Sequence, residues 1–279
     1  RAKFIVRRAL SVDAPLILNA DDPECVRMSR GLDNRVTWFG LDADQPVLRT
    51  HLERGGNAAY LDDGWLVLAR HGEVRRIVKA ADIPVTFSGA ARYNIGNSLG
   101  AMALCEVLGA PDEALAAGLK AFSGDADENP GRGNLFIKDG VRVFLDFAHN
   151  EHGLKAIGDT VKAFDADRHI VLMGQAGDRT DKDIGNFLRA ACELGPDRLL
   201  VCDLPGYERG RETGVVSDML CELALAEGLP AEAITMFKSP MDGVRQALDN
   251  AREGDCLVLL ALTQRDEVLD MIRSWVDAG

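Results

Sequence analysis

The chain has 279 residues, with 44 acidic and 32 basic side chains, a formal net charge of −12 and 47% hydrophobic residues. That length fits one large or two ordinary domains, and the hydrophobic content excludes a disordered chain. The acidic balance argues against non-specific binding to nucleic acid or to an anionic membrane surface, and no apolar run approaches the roughly 20 residues that span a bilayer.

The six cysteines are scattered without a CxxC pair, and the five histidines do not cluster with them. This distribution favours buried thiols in a reducing, cytoplasmic compartment over a disulfide framework or a zinc site. No charged-then-apolar signal segment opens the chain. The first residue is Arg1 rather than Met, so we expect a fragment or a processed product.

The first part of the chain predicts few strands and two long helices. Short apolar strands are expected at residues 16–19 and 36–40, with Asp21 or Asp22 capping a helix that Pro23 opens. The segments AAYL, WLVLA and VRRIV, separated by turn residues, predict a small antiparallel sheet. Helices follow at 94–108 and 112–122. This part resembles the end of a larger α/β unit.

Strands and helices alternate in the second part of the chain. A hairpin is predicted at 134–137 and 141–146, followed by strands at 169–173, 198–202, 234–237 and 256–262. Amphipathic helices are expected at 152–164, 183–194, 214–227, 240–253 and 266–276. Near-continuous apolar strands between such helices indicate a mostly parallel, Rossmann-like sheet. The predicted fold class is therefore α/β, with a partial central domain at 1–125 and a Rossmann-like domain at 126–279.

Polar, glycine-bearing segments follow the predicted parallel strands, where ligands bind in such folds. Asp146 could bond ribose hydroxyls or cap the helix near residue 151. Arg179 in GQAGDRTDKD could bind a carboxylate or phosphate, or the segment could be a turn that Asp181 or Asp183 caps. Arg209 and Arg211 could likewise bind a substrate carboxylate or lie in a solvated loop.

Three further segments carry candidate residues. Arg132, flanked by glycines in NPGRGN, is either a phosphate-binding cation between domains or a linker arginine. Asn94 and Asn97 lie three residues apart near a helix start, where an amide can read adenine or cap the helix. His149 is a ligand, a base or a packed polar residue. The sequence contains neither GxxxxGK[ST] nor GxGxxG.

Six of these segments occur in an order that resembles the latter part of the Mur ligase superfamily. They are LILNADDP, ARYNIGNSLGA, NPGRGNLF, VFLDFAHN, GQAGDRTDKDI and YERGRETG, and they extend over nearly the whole chain. The NPGRGNLF and GDRTDKDI segments are most similar to the Mur-ligase-like region of cyanophycin synthetases. The resemblance implies an ATP-dependent ligase that converts a carboxylate to an acyl phosphate, from which the amine of an amino acid or peptide displaces phosphate.

The resemblance also implies roles for individual residues. Asn94 and Asn97 would lie near the adenine of ATP, Asp146 on its ribose and Arg132 on its phosphates, where it would act catalytically. Lys3 matches a lysine that many members carry in carbamylated form as a Mg²⁺ ligand and catalytic group. The amino-acid side of the site would be formed by His149, Asn150, Asp178, Arg179, Arg209 and Arg211.

The sequence departs from the family pattern at Tyr93, where a histidine is usual, at Phe147, where a tyrosine is usual, and at Glu151, where a proline is usual. We therefore expect the carboxyl-terminal portion of a ligase whose P-loop and substrate domain lie in a missing amino-terminal portion, and which is inactive alone. A non-catalytic nucleotide- or amino-acid-binding module is the alternative. A nicotinamide-dependent Rossmann enzyme is a weaker one.

Overall fold

The described part of the chain, residues 3–11 and 13–278 of a computed structural model, folds as two units whose sequence boundary lies between Ser123 and Gly124. Lys3 begins a 3₁₀ segment that ends at Ala9, but its side chain lies outside the described part, so its expected metal role stays a prediction. Each unit has its own sheet and its own buried apolar cluster.

The first unit combines a mixed sheet with four α-helices among the residues described. Its strands are β1 (Leu16–Asn19), β2 (Val36–Gly40), β3 (Ala58–Asp62), β4 (Trp65–Arg70) and β5 (Glu73–Lys79). Its helices are α1 (Pro23–Ser29), α2 (Pro46–Glu53), α3 (Arg92–Val107) and α4 (Asp112–Ala121). Helix α3 packs on the sheet through Ile95, Leu99 and Met102, which are fully buried.

The predicted antiparallel sheet is part of a larger sheet. Strands β3, β4 and β5 pair antiparallel as expected, but β3 also pairs in parallel with β2, and β2 pairs in parallel with β1. Helix α2 was not predicted from the sequence, because it is short and its cap is the side chain of Gln45, which accepts a bond from the Leu48 amide. Asp22 rather than Asp21 caps α1.

The second unit alternates strands and helices. Its strands are β6 (Arg132–Lys138), β7 (Val141–Asp146), β8 (Arg168–Met173), β9 (Arg198–Cys202), β10 (Ile234–Phe237) and β11 (Asp255–Leu260). Its helices are α5 (Glu151–Lys162), α6 (Asp181–Cys192), α7 (Val215–Ala226), α8 (Pro240–Asp249) and α9 (Arg265–Asp277). The predicted helix at 240–253 thus ends earlier, at Asp249.

The sheet of the second unit has the order β10-β9-β8-β11-β7-β6. All neighbours pair in parallel except β6 and β7, which form the expected hairpin. Strand β11 lies between β8 and β7 and is buried at every position. Such a sheet, covered on both faces, confirms the predicted Rossmann-like α/β class and gathers the loops after β7, β8 and β11 at one edge.

Candidate functional site

Arg132 and Asp146 are direct cross-strand partners where the β6–β7 hairpin meets the carboxyl edge of the sheet. The register shifts between Arg132 and Asn134, so Gly133 lies in a bulge beside Asp146. A bulge re-aims the residues next to it. Two residues that the sequence assigned to one ligand therefore lie side by side, Arg132 exposed and Asp146 almost buried.

Burial raises the pKa of the Asp146 carboxyl above its ordinary value. The backbone amides of Ala148 and Gly133 and the positive charge of Arg132 oppose this rise. The carboxyl thus faces amides from the end of its own strand and from the bulge at the start of β6. It does not cap α5, because the side chain of Asn150 does so by accepting a 2.8 Å bond from the Gly153 amide.

The NPGRGN loop is held by a buried side chain that sequence reasoning did not single out. Asn134 is 2% exposed, and its Oδ1 accepts a 2.5 Å bond from the Gly131 amide. Its Nδ2 donates 3.0 Å bonds to the carbonyls of Gly124 and Asn129. An asparagine can satisfy donors and acceptors at once, so it fixes the loop that presents Arg132. Nothing in the sequence marks this asparagine, because its burial and its backbone partners depend on the fold.

Two loops at the neighbouring strand ends are joined by arginines. Nη1 of Arg209 is 3.0 Å from Oδ2 of Asp178, and its guanidinium lies 4.4 Å from the centre of the Tyr207 ring. Arg211 donates to the carbonyls of Gly177 and Arg179 at 2.9 and 2.8 Å, and its Nη2 is 2.7 Å from Asp181.

The fit between these loops is close. The Gly177 amide bonds the Tyr207 carbonyl, and a Cβ on Gly177 would lie 1.9 Å from the Glu208 carbonyl oxygen. Arg179 contributes its backbone carbonyl, while its side chain forms no ion pair or hydrogen bond among the residues described. Helix α6 is capped by Thr180, whose Oγ1 accepts from the Asp183 amide; the expected caps Asp181 and Asp183 were wrong.

The remaining predicted residues lie in two places. The His149 imidazole Nδ1 is 3.2 Å from the Phe147 carbonyl, and the His149 carbonyl accepts a 3.0 Å bond from Nε2 of Gln175. Gln175, which sequence reasoning missed, thus ties the loop after β8 to the loop after β7.

Asn94 and Asn97 lie in the first unit, near the start of α3. In the first turns of α3, Nδ2 of Asn94 donates to the Val85 carbonyl at 2.6 Å and Oδ1 of Asn94 accepts from Nδ2 of Asn97 at 3.2 Å.

Metal and membrane sites are not found in the part of the chain that the structure covers. No group of three or more histidine, cysteine, aspartate or glutamate side chains there could hold a metal ion. No helix in residues 3–11 and 13–278 combines the length and apolarity needed to cross a membrane.

Residues 131–261 match the family described as Mur ligase, glutamate ligase domain. A cyanophycin synthetase of Geminocystis herdmanii is 30% identical over 259 residues, which are 93% of this chain and 29% of that protein. A UDP-N-acetylmuramate–L-alanine ligase of Clavibacter sepedonicus is 28% identical over 92% of this chain and 50% of its own length. The chain therefore spans less than two thirds of these relatives.

Solved structures show the same fold. A murein peptide ligase from Psychrobacter arcticus matches with a TM-score of 0.62 at 16% identity, over 96% of this chain and 52% of that one. E. coli FolC in complex with ADP matches with a TM-score of 0.62 at 17% identity, over 91% and 52%. Sequence and fold agree: residues 131–261 match the Mur ligase, glutamate ligase domain, and over more than 90% of its length the chain is similar to cyanophycin synthetases and Mur ligases.

Proposed function

We propose that this chain supplies nucleotide- and amino-acid-binding surfaces of an ATP-dependent ligase that joins a carboxylate to the amine of an amino acid or peptide. The observation that supports it most directly is the pairing of Arg132 with Asp146 at the carboxyl edge of the sheet. Ligands bind at that edge in open α/β sheets.

The second unit offers groups that fit a nucleotide. The exposed Arg132 guanidinium can bind phosphate oxygens in a bidentate manner, on a loop fixed by Asn134. Asp146 is 8% exposed, and the part of its carboxyl that reaches the surface can accept bonds from ribose hydroxyls. ATP would supply the phosphoryl group that activates the carboxylate.

The joined loops after β8 and β9 fit the amino-acid side of the reaction. Arg209 and Arg211 are already engaged with Asp178 and Asp181, so their charges are largely balanced within the loops. The Arg179 side chain, in contrast to those of Arg209 and Arg211, forms no ion pair or hydrogen bond among the residues described. Its guanidinium can therefore bind the carboxylate of an amino acid. His149 and Asn150 lie on the adjoining loop, which Gln175 connects.

The adenine contact is proposed for the first unit. The Asn94 side chain is bonded at both ends, to Val85 and to Asn97, so it orients Asn97 rather than offering free groups itself. Lys3 as a carbamylated Mg²⁺ ligand remains part of the proposal for the complete enzyme.

Calorimetric titration of the chain with ADP tests the nucleotide site. We expect Arg132→Gln to weaken ADP binding by about tenfold or more, because a charged hydrogen bond contributes about 1.5–3 kcal/mol. Arg245→Gln, an exposed arginine on α8, is the matched control and should bind like the parent chain. Absence of ADP binding by the parent chain would contradict the nucleotide site.

Turnover is tested by ADP release in the presence of candidate acids and amines. We expect none from this chain alone, because its sequence has no GxxxxGK[ST] segment to hold the transferred phosphate. Robust turnover by the 279-residue chain would overturn this expectation. Binding of NADH in a calorimetric titration of the chain would instead support a nicotinamide-dependent enzyme.

A further inference from the structure

The loop that follows the central strand β11 leads directly into an arginine that the family pattern did not assign. Residues 261–264 connect β11 to α9, and Arg265 is the first residue of that helix. Because β11 pairs with both β8 and β7, this loop emerges between the two strand ends that carry the candidate site.

Arg265 is stacked on the aromatic ring that follows Asp146. Its guanidinium carbon lies 4.3 Å from the centre of the Phe147 ring, and its Nε donates a 3.1 Å bond to the Leu262 carbonyl. These two contacts fix the plane of the guanidinium and use only one of its nitrogens. The two Nη groups make no ion pair or hydrogen bond with any residue in the described ranges.

The same ring contacts the loop that presents Arg132. A Cβ on Gly131 would lie 1.9 Å from two atoms of the Phe147 ring, so the backbone at Gly131 is in close contact with it. Phe147 thus has Arg265 over its face and the residue before Arg132 at its edge. The ring therefore contacts the exposed Arg265 guanidinium and the backbone that leads into the exposed Arg132, in a chain whose net charge is −12.

A second observation lies in the same loop. Oγ1 of Thr263 is buried and has no hydrogen-bond partner among the residues described. Buried hydroxyls are ordinarily bonded, so this one is an unsatisfied polar atom two residues before the stacked arginine.

We propose that Arg265 binds an oxyanion of the ligand, which is either a phosphate of the nucleotide or the carboxylate of the amino acid. The proposal rests on the proposed function, because it adds a second cation to the site of Arg132 and Asp146. A guanidinium suits either anion through its paired Nη groups. Phe147 acts as the positioning residue that holds Arg265 in place.

The experiment compares Arg265→Gln, Arg265→Lys and the control Arg245→Gln in calorimetric titrations of the whole chain. One series uses ADP and the other L-glutamate, so that the phosphate and carboxylate sources are distinguished. We expect Arg265→Gln to weaken one of the two by about tenfold or more and to flatten the salt dependence of its binding. Arg265→Lys should restore part of the affinity.

Each outcome bears on a different claim. If the parent chain binds a probe and Arg265→Gln binds both probes equally well, this inference is wrong while the proposed function stands. If Arg265→Gln weakens binding by the same factor at low and high salt, its role is packing and the inference is again wrong. If the parent chain binds neither probe, the proposed binding function itself fails, and the proposal for Arg265 with it.

Discussion

Gly131 occupies a backbone conformation that other residues avoid, and it does so against an aromatic ring. Its φ is +71°, and a Cβ there would lie 1.9 Å from Phe147. We expect Gly131→Ala to lower the free energy of unfolding by more than the roughly 1 kcal/mol that a positive φ alone costs, because the ring must move. Urea unfolding measures the change.

Gly206 provides the matched control for this substitution. Its φ is +81°, and nothing lies within 4 Å of its Cβ position. Gly206→Ala therefore reports the backbone cost alone, and the difference between the two variants isolates the contact with Phe147. If both variants lose the same free energy of unfolding, Gly131 does not contact Phe147 in solution.

Asp146 links stability to pH in a direction unusual for a carboxyl. Burial raises its pKa in the folded protein, so the folded state holds the proton more tightly than the unfolded state. The ionised carboxyl therefore costs stability at neutral pH, and this cost fades as the pH falls through the raised pKa towards the ordinary value of about 4.

Asp146→Asn is accordingly expected to raise the thermal unfolding temperature at neutral pH, and to raise it less near pH 4. The same change should weaken ADP binding if Asp146 accepts from the ribose. A lower unfolding temperature at neutral pH would show instead that the bonds to the Ala148 and Gly133 amides outweigh the burial cost.

Between elements of the second unit, an ion pair with two hydrogen bonds joins β8 to β11. Asp255 has a side chain 2% exposed, and Arg168 donates to both its oxygens at 2.8 and 2.7 Å. The Arg252 amide adds a 2.9 Å bond. Asp255→Ala should destabilise the chain by about 1.5–3 kcal/mol, because it removes the charged hydrogen bonds of Arg168 and leaves the Arg252 amide without its partner.

The exposed pair of Arg189 and Glu227 serves as the comparison. The side chains are 52% and 39% exposed, and Nε of Arg189 lies 3.4 Å from Oε1 of Glu227. Glu227→Ala should cost less than about 1 kcal/mol in the same urea unfolding experiment. Similar losses for the two substitutions would argue that the link between β8 and β11 contributes no more than a surface pair.

The sequence predicted elements more readily than their arrangement. Periodicity located both sheets and most helices, because apolar spacing along the chain directly reflects burial. It could not place β3 beside β2, since pairing between distant strands depends on packing that no local pattern records. The cap at Thr180 was missed because three neighbouring residues, Thr180, Asp181 and Asp183, all suit a helix start.

The same limit applied to the site. Arg132 and Asp146 face each other because a hairpin brings them together, and a hairpin is visible in the sequence. Arg265 reaches Phe147 only because β11 enters beside β7, so no spacing or motif indicated that contact. Asn134 and Gln175 act through backbone groups, which carry no sequence signature.

At the scale of the molecule, each unit buries a core of its own. The second unit, residues 124–279, contains a complete sheet with helices on both faces and a continuous apolar cluster. We expect residues 124–279 to fold when expressed alone, with a single cooperative urea transition and strong amide protection in β11. A gradual transition without protected amides would show that the second unit depends on the first.

The position of β11 in the sheet also governs when that sheet can be completed. The strand from Asp255 to Leu260 separates β8 from β7, although both precede it in the chain. During synthesis the hairpin and the β8–β9–β10 layer must therefore wait, with facing edges exposed, until this late segment emerges from the ribosome and closes the gap. Until this strand is in place, the edges of β7 and β8 that face it have unpaired backbone groups, which makes them sites for unwanted pairing with other strands.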